Sequence, residues 1–176
     1  LIGSDLTEKS LKLHLEGLAG VDAVGLEQRA AGLGTRSIKT TSKAWALDTI
    51  IKLIDLTTLE GADTPGKVRS LAAKAMLPDP SDASTPQVAS VCVYGDMVPY
   101  AAEALGSSWS NGSDNGINVA AVATAFPSGR SSLPIKIMDT KEAVANGADE
   151  IDMVIDRGAF LSGKYGVVFD QIVPVK

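Results

Sequence analysis

Apolar positions along the chain fall into short continuous runs separated by longer segments with helical spacing. The runs Ile51-Lys52-Leu53-Ile54-Asp55, Val88 to Tyr94, Ile117 to Phe126 and Asp149 to Ile155 have the length and the β-branched content of strands. Between them the period changes. Thr64 can cap a helix with Pro65 at its first position, and Val68, Leu71, Ala72 and Ala75 then recur on one face until Pro78. Asp96 can cap a second helix whose apolar face carries Met97, Tyr100, Ala101 and Leu105, and Leu133 to Asn146 forms a third that Gly147 stops. The strand starts lie 37, 29 and 32 residues apart, which is the spacing of βα units and predicts a parallel sheet. That spacing leaves open whether the sheet is doubly wound or closes into a barrel; in both, chemistry belongs at the C-terminal ends of the strands. Ahead of the first strand, residues from Asp5 to about Thr41 show helical patches at Leu11, Leu15 and Leu18 broken by glycines, and Ser42 can cap a short helix through Ile50. Gly106 to Gly116 reads as a polar connector.

Composition adds boundaries. At 176 residues, 45% hydrophobic and 21% charged, the chain has the make-up of one ordinary globular domain. Six basic residues face five acidic ones before Trp45, and ten face sixteen after it, so no basic face is available for nucleic acid. A single cysteine, Cys92, excludes an internal disulfide, and a single histidine, His14, excludes a pair of histidine metal ligands. With no run approaching a membrane span and no basic-then-apolar leader, the expectation is a cytoplasmic, metal-free protein. Leu1 in place of a starting methionine and the abrupt Val175-Lys176 point to a clipped or partial sequence.

Few segments carry a chemical signature of their own. Gly61-Ala-Asp-Thr-Pro-Gly-Lys67 nearly spells a phosphate-binding P-loop between a strand and a helix, but Val68 stands where a Mg²⁺-binding hydroxyl is needed, Pro65 lacks an N–H, and Asp63 puts an anion inside the cradle. It reads as a capped helix start. In Glu150-Ile-Asp-Met-Val-Ile-Asp156, alternation sends Ile151, Met153 and Ile155 to one face and Asp152 with Val154 to the other, so a carboxylate looks away from the helices. Such a group is either catalytic or part of an ion pair. Asp55 closes the first strand on the face of Ile51 and Leu53, as a site residue at the catalytic end or as a cap for Leu56-Thr57-Thr58. Cys92 shares a face with Ser90 and Tyr94 and is read as a small buried filler rather than a nucleophile. His14 reads as a packing or surface residue, and Phe126-Pro-Ser-Gly-Arg130 as a turn that also offers a cation.

Four runs then share one likeness. Leu53-Ile-Asp-Leu-Thr-Thr-Leu59, Val91-Cys-Val-Tyr94, Val122-Ala-Thr-Ala-Phe-Pro127 and Gly147-Ala-Asp-Glu-Ile-Asp-Met-Val154 resemble, in order and spacing, the strand motifs of the deoxyribose-phosphate aldolase family. The resemblance covers residue 42 to the end. It implies an α/β fold, a TIM (β/α)8 barrel of which this sequence supplies about the first four βα units, with 1–41 as an N-terminal extension and 42–176 as the first half of the barrel. It implies a cofactor-free class I aldolase that cleaves 2-deoxy-D-ribose 5-phosphate to D-glyceraldehyde 3-phosphate and acetaldehyde through a lysine Schiff base. Asp152 matches the family's proton-transferring aspartate, and Asp55, Thr57 and Cys92 match residues lining the substrate cavity. The implied partner is a small phosphorylated sugar, with a homodimer as the assembly.

The family's two lysines belong to later strands, and no lysine here takes their place. Lys39, in Ile38-Lys-Thr-Thr-Ser-Lys43, echoes the Schiff-base segment but precedes the first strand. The sequence is therefore expected to be inactive alone, as part of an aldolase; the alternative is a non-catalytic half-barrel that serves as an interaction module.

Overall fold

The computed structural model describes residues 7–112 and 116–176. Three helices come first: α1 (Glu8–Glu16), α2 (Ala23–Gly34) and α3 (Thr40–Lys52). Then β1 (Asp55–Thr57), α4 (Pro65–Met76), β2 (Ser90–Tyr94), α5 (Val98–Leu105), β3 (Asn118–Ala123), α6 (Leu133–Ala145) and β4 (Glu150–Met153) alternate, and α7 (Arg157–Leu161) and α8 (Tyr165–Ile172) follow. The four strands form one parallel sheet in the order β1-β2-β3-β4, as the spacing requires. None of the described helices is long and apolar enough to cross a membrane.

Local chemistry sets most boundaries. Thr7 closes a capping box with Ser10 at the start of α1, and Asp22 accepts from the Gly25 amide at α2. Thr64 accepts from the Lys67 amide with Pro65 in the first turn of α4, as its sequence predicts. Three expectations are corrected. The segment from Ile51 to Asp55 is not a strand: α3 runs through Lys52, Leu53 and Ile54 turn back onto its last carbonyls, and β1 begins only at Asp55. A short apolar run cannot distinguish a helix end from a strand. Ser42 does not cap α3, which starts at Thr40 across the expected 41/42 boundary without a side-chain cap. Asp96 does not cap α5 either, because Gly95–Met97 forms a 3-10 turn first. Of the connector from Gly106 to Gly116, residues 113–115 lie outside the described residues, as does Asp5 of the extension.

One face of the sheet meets the helices. Val91, Val93, Val119 and Ala121 from β2 and β3 bury themselves against Val68, Ala72 and Ala75 of α4, Val98, Ala101 and Leu105 of α5, and Ala143 of α6. The small residues let helix and sheet backbones approach closely. On the other face a smaller cluster, Cys92, Ala120 and Val122, packs against Leu59, Tyr94 and Phe126, and among the described residues no helix contributes to it. The central strands are buried except for half-buried Tyr94 and Asn118 at their ends, whereas the outward positions of β1 and β4 are exposed.

Asp149, just before β4, ties the lower edge of this sheet together. Its carboxylate accepts from the Trp109 indole at 2.7 Å, from the Gly112 amide at 2.9 Å and from the Val119 amide at 2.9 Å. Asp149→Ala leaves those three donors without their acceptor and is expected to destabilise the fold by about 1–3 kcal/mol. Urea titration followed by far-UV circular dichroism reads the change.

Candidate functional site

Alternation along the strands decides which side chains reach the face without helices. In β4, Ile151 packs into the helix-side core, which sends Asp152 and Glu150 to the opposite face. In β2, Val91 and Val93 face the helices, so Ser90, Cys92 and Tyr94 do not. The register then aligns Thr57 with Cys92 and Ala120, and Tyr94 with Val122 and Asp152. Asp55, Thr57, Cys92 and Asp152 therefore project from one face, as their positions in the sequence lead one to expect for the last two.

Asp55 sits differently from its expected place. It opens β1 instead of closing it, pairs with Ser90 at the start of β2, and bonds the Ser90 hydroxyl. Because the chain around Ile51 is helical, Asp55 lies at the N-terminal end of the strand layer, away from the end that Tyr94 and Asp152 approach. Thr57 is exposed, with its hydroxyl donating to the Asp55 carbonyl at 3.1 Å.

The Cys92 thiol donates to Asp152 Oδ2 at 3.3 Å. These residues stand on strands that are not neighbours. Adjacent strands lie about 4.8 Å apart, so the contact must span β3, and the short side chain of Ala120 leaves the way clear. Burial pushes the Cys92 thiol up to about 12, reinforced by the hydrogen bond to Asp152 and by the negative charges of Asp152 and Asp55. At neutral pH it is a thiol, which fits the filler reading and disqualifies it as a nucleophile. Asp152 itself is exposed on this face, with Tyr94 and Phe126 edge to face, 5.8 Å between centroids, above the strand ends. A cavity of about 250 Å³ opens beside that aromatic pair, lined also by Asp96, Asp139 and Glu142.

The loop after β3 carries more order than a simple turn. Thr124 and Ala125 both have left-handed backbones; the buried Thr124 hydroxyl accepts from the Val154 amide at 2.7 Å, and the Ala125 amide donates to Asp139 Oδ2. Gly129 is obligatory, since at φ +68° a Cβ would fall on the Ile155 carbonyl. Arg130 lies beside Asp156, whose carboxyl is held below the usual range mainly by the Ala159 amide at the start of α7, with help from Arg130 and Lys136. The sequence pattern flagged Arg130 but not Asp139 or Asp149, whose partners come from distant segments, nor Asp156, which caps α7 through the nearby Ala159 amide.

No lysine lies on the four strands. Lys136 of α6 is fully buried, donates to Gln171 of α8 at 2.8 Å, and has its pKa lowered by desolvation, against a smaller opposing pull from Asp156. It lies in the helical layer with Thr140 and Ala143, not on the face of Asp152. Lys67 is engaged with Asp63 at 2.6 Å. Lys39 is the residue before α3, remote in sequence from any strand end, and His14 lies in α1.

Similarity to known proteins converges on one family. A deoxyribose-phosphate aldolase from Caenorhabditis elegans, described as putative, is 40% identical over 127 residues, covering 72% of this chain and 40% of that protein. The Homo sapiens deoxyribose-phosphate aldolase is 35% identical over 145 residues, covering 76% and 44%. This chain is a homologue of the deoxyribose-phosphate aldolases. It spans less than half the length of these two relatives. No family model matches it. Among solved structures, a putative deoxyribose-phosphate aldolase from Coccidioides immitis superposes with a TM-score of 0.69 at 22% identity, over 98% of this chain and 58% of that one. Another from Toxoplasma gondii gives 0.58 at 19%, over 76% and 48%. At those identities the structures establish a shared α/β fold.

Two measurements check the electrostatics. For Cys92, the folded state keeps a proton that the unfolded chain releases above its ordinary value, so the stabilisation is present below about pH 9 and is lost as the pH climbs toward 12. The wild type should lose stability relative to Cys92→Ala across that range, and Ellman's reagent at pH 8 should label the native thiol far more slowly than the urea-unfolded one. For Lys136 the sign reverses. The unfolded chain binds the extra proton, so the stability of the wild type relative to Lys136→Met should rise with pH toward the ordinary lysine value. Denaturant midpoints at pH 7 and pH 9.5 measure both differences.

Proposed function

We propose that this chain is the first half of a TIM-barrel deoxyribose-phosphate aldolase and that it contributes the proton-transferring carboxylate, Asp152. The observation that carries the reading is the placement of Asp152 on the helix-free face, with the Cys92 thiol at 3.3 Å and Tyr94 and Phe126 nearby, in a chain homologous to aldolases of that name. Four parallel strands in sequential order, with their packed helices on one face, are half of an eight-stranded barrel, whose interior would be the face that Asp152 occupies.

The chemistry divides between what this chain holds and what it does not. Cleavage of 2-deoxy-D-ribose 5-phosphate breaks the C2–C3 bond: the electron pair passes to an iminium formed at C1 on a lysine, the C3 hydroxyl gives up its proton, and D-glyceraldehyde 3-phosphate leaves. The resulting enamine is protonated at C2 and hydrolysed to acetaldehyde. Asp152 is assigned the movement of protons in this sequence, together with a lysine from outside these residues. Asp152 is exposed, and its one described hydrogen bond comes from the Cys92 thiol, so its other carboxylate oxygen is open to a ligand on this face. Thr57 and Cys92 line the substrate face; Asp55, bonded to Ser90, supports the strand ends beneath it. The Schiff-base lysine has no counterpart on β1 to β4. On this reading the protein acts in the cytoplasm, needs no cofactor and assembles as a homodimer.

The alternative, a half-barrel that binds partners without catalysis, draws its support from the lysine-free strands and the exposed outer positions of β1 and β4. Turnover separates the two. The purified 176-residue chain is expected to cleave no deoxyribose 5-phosphate and to form no borohydride-trapped adduct with acetaldehyde. The natural polypeptide that carries this sequence is expected to do both, and Asp152→Asn within it should lower kcat by about 10²–10⁴. Adduct formation by the chain alone would overturn the assignment of the lysine; an inactive natural polypeptide would leave the interaction module.

A further inference from the structure

The segment that imitates a P-loop has a different use. Where a phosphate would lie, the loop from Thr58 to Thr64 holds its own anion. The Asp63 side chain is 3% exposed, and its carboxylate takes the Thr58 hydroxyl at 3.0 Å, the Glu60 amide at 3.1 Å and the Lys67 ammonium at 2.6 Å. The Asp63 amide in turn donates to the Glu60 carbonyl at 3.0 Å, and Thr64 caps α4 directly behind it. One carboxylate thus binds the end of β1, the middle of the loop and the first turn of α4.

What this loop delivers is on the site face. The Thr58 amide extends the ladder by donating to the Cys92 carbonyl at 3.0 Å, and Leu59 packs onto Cys92, Ala120 and Val122. Among the described residues no helix covers that face, so Leu59 gains only a partial apolar seat, and the exposed Glu60 side chain and Gly61 add no apolar anchor. We propose that Asp63 is a positioning residue for the site face: by gathering Thr58, Glu60 and Lys67 it keeps Thr57 and Leu59 seated beside Cys92, on the face that also carries Asp152, where they shape the substrate cavity. This rests on the aldolase reading for the identity of the substrate, but not for the latch itself. Lys67 holds Asp63 well into its ionised form, with the Glu60 amide and Thr58 hydroxyl assisting, so the latch stays closed at neutral pH.

Amide exchange tests the latch on the chain itself. In Asp63→Ala, exchange should accelerate about tenfold or more at Glu60, which loses its acceptor, and also at Thr58, whose partner on Cys92 is untouched, while Val119 to Ala123 keep their protection. Lys67→Met, which alters only a half-exposed partner, should give a smaller rise at the same two amides. A change confined to Glu60, or no change at Thr58 in either variant, would overturn the proposal; if Asp63→Ala fails to fold, Lys67→Met decides alone. In the natural polypeptide, Asp63→Ala should raise KM for deoxyribose 5-phosphate about tenfold with kcat within about twofold, the pattern of lost ground-state positioning. A fall in kcat at unchanged KM would overturn it as well. An unsubstituted polypeptide without aldolase activity removes the functional reading and leaves the exchange result to decide the latch.

Discussion

The packing of α4, α5 and α6 against a single face of the sheet is the constraint from which the other features follow. Val91, Val93, Val119 and Ala121 are fully buried there, and a slip of one residue in β2 or β3 would turn them out of the helix-side core onto the opposite face. Hydrophobic burial on the helix side therefore fixes the register, and the register fixes where the carboxylates go. Ser90, Cys92, Glu150 and Asp152 are together because their neighbours in sequence are in the core.

Carboxylates in this chain divide into those that are consumed by the structure and those that are left available. Asp149 satisfies three N–H donors at the lower edge, Asp63 latches the loop after β1, Asp139 receives the Ala125 amide, and Asp156 starts α7. Each of them neutralises a backbone or side-chain donor that would otherwise be stranded by the short connections. Asp152 has the thiol of Cys92 and open space. The thiol orients the carboxylate and leaves its second oxygen without a described partner.

The cationic side of the chemistry is distributed unevenly. Lys136, the fully buried lysine, is committed to Gln171 and to the helical layer, and Lys67 is committed to Asp63. The face that holds Asp152 thus presents carboxylate and apolar side chains among the described residues. The curated relatives are more than twice as long as the stretch they match.

Much of this was legible in the sequence. Four strand-like runs at βα spacing, the Thr64-Pro65 start of α4 and the alternation that turns Asp152 and Cys92 away from the helices depend on local periodicity and caps, which neighbouring residues determine by themselves. The extent of α3 was not legible, because Ile51 to Ile54 are equally apolar as a helix end or as a strand, and only the ladder with Ser90 places the start of β1 at Asp55. Nor were the partners of Asp149 or the reach of Cys92 to Asp152: these depend on distances between segments 30 to 60 residues apart, which exist only once the helices have buried one face and brought the strands into register.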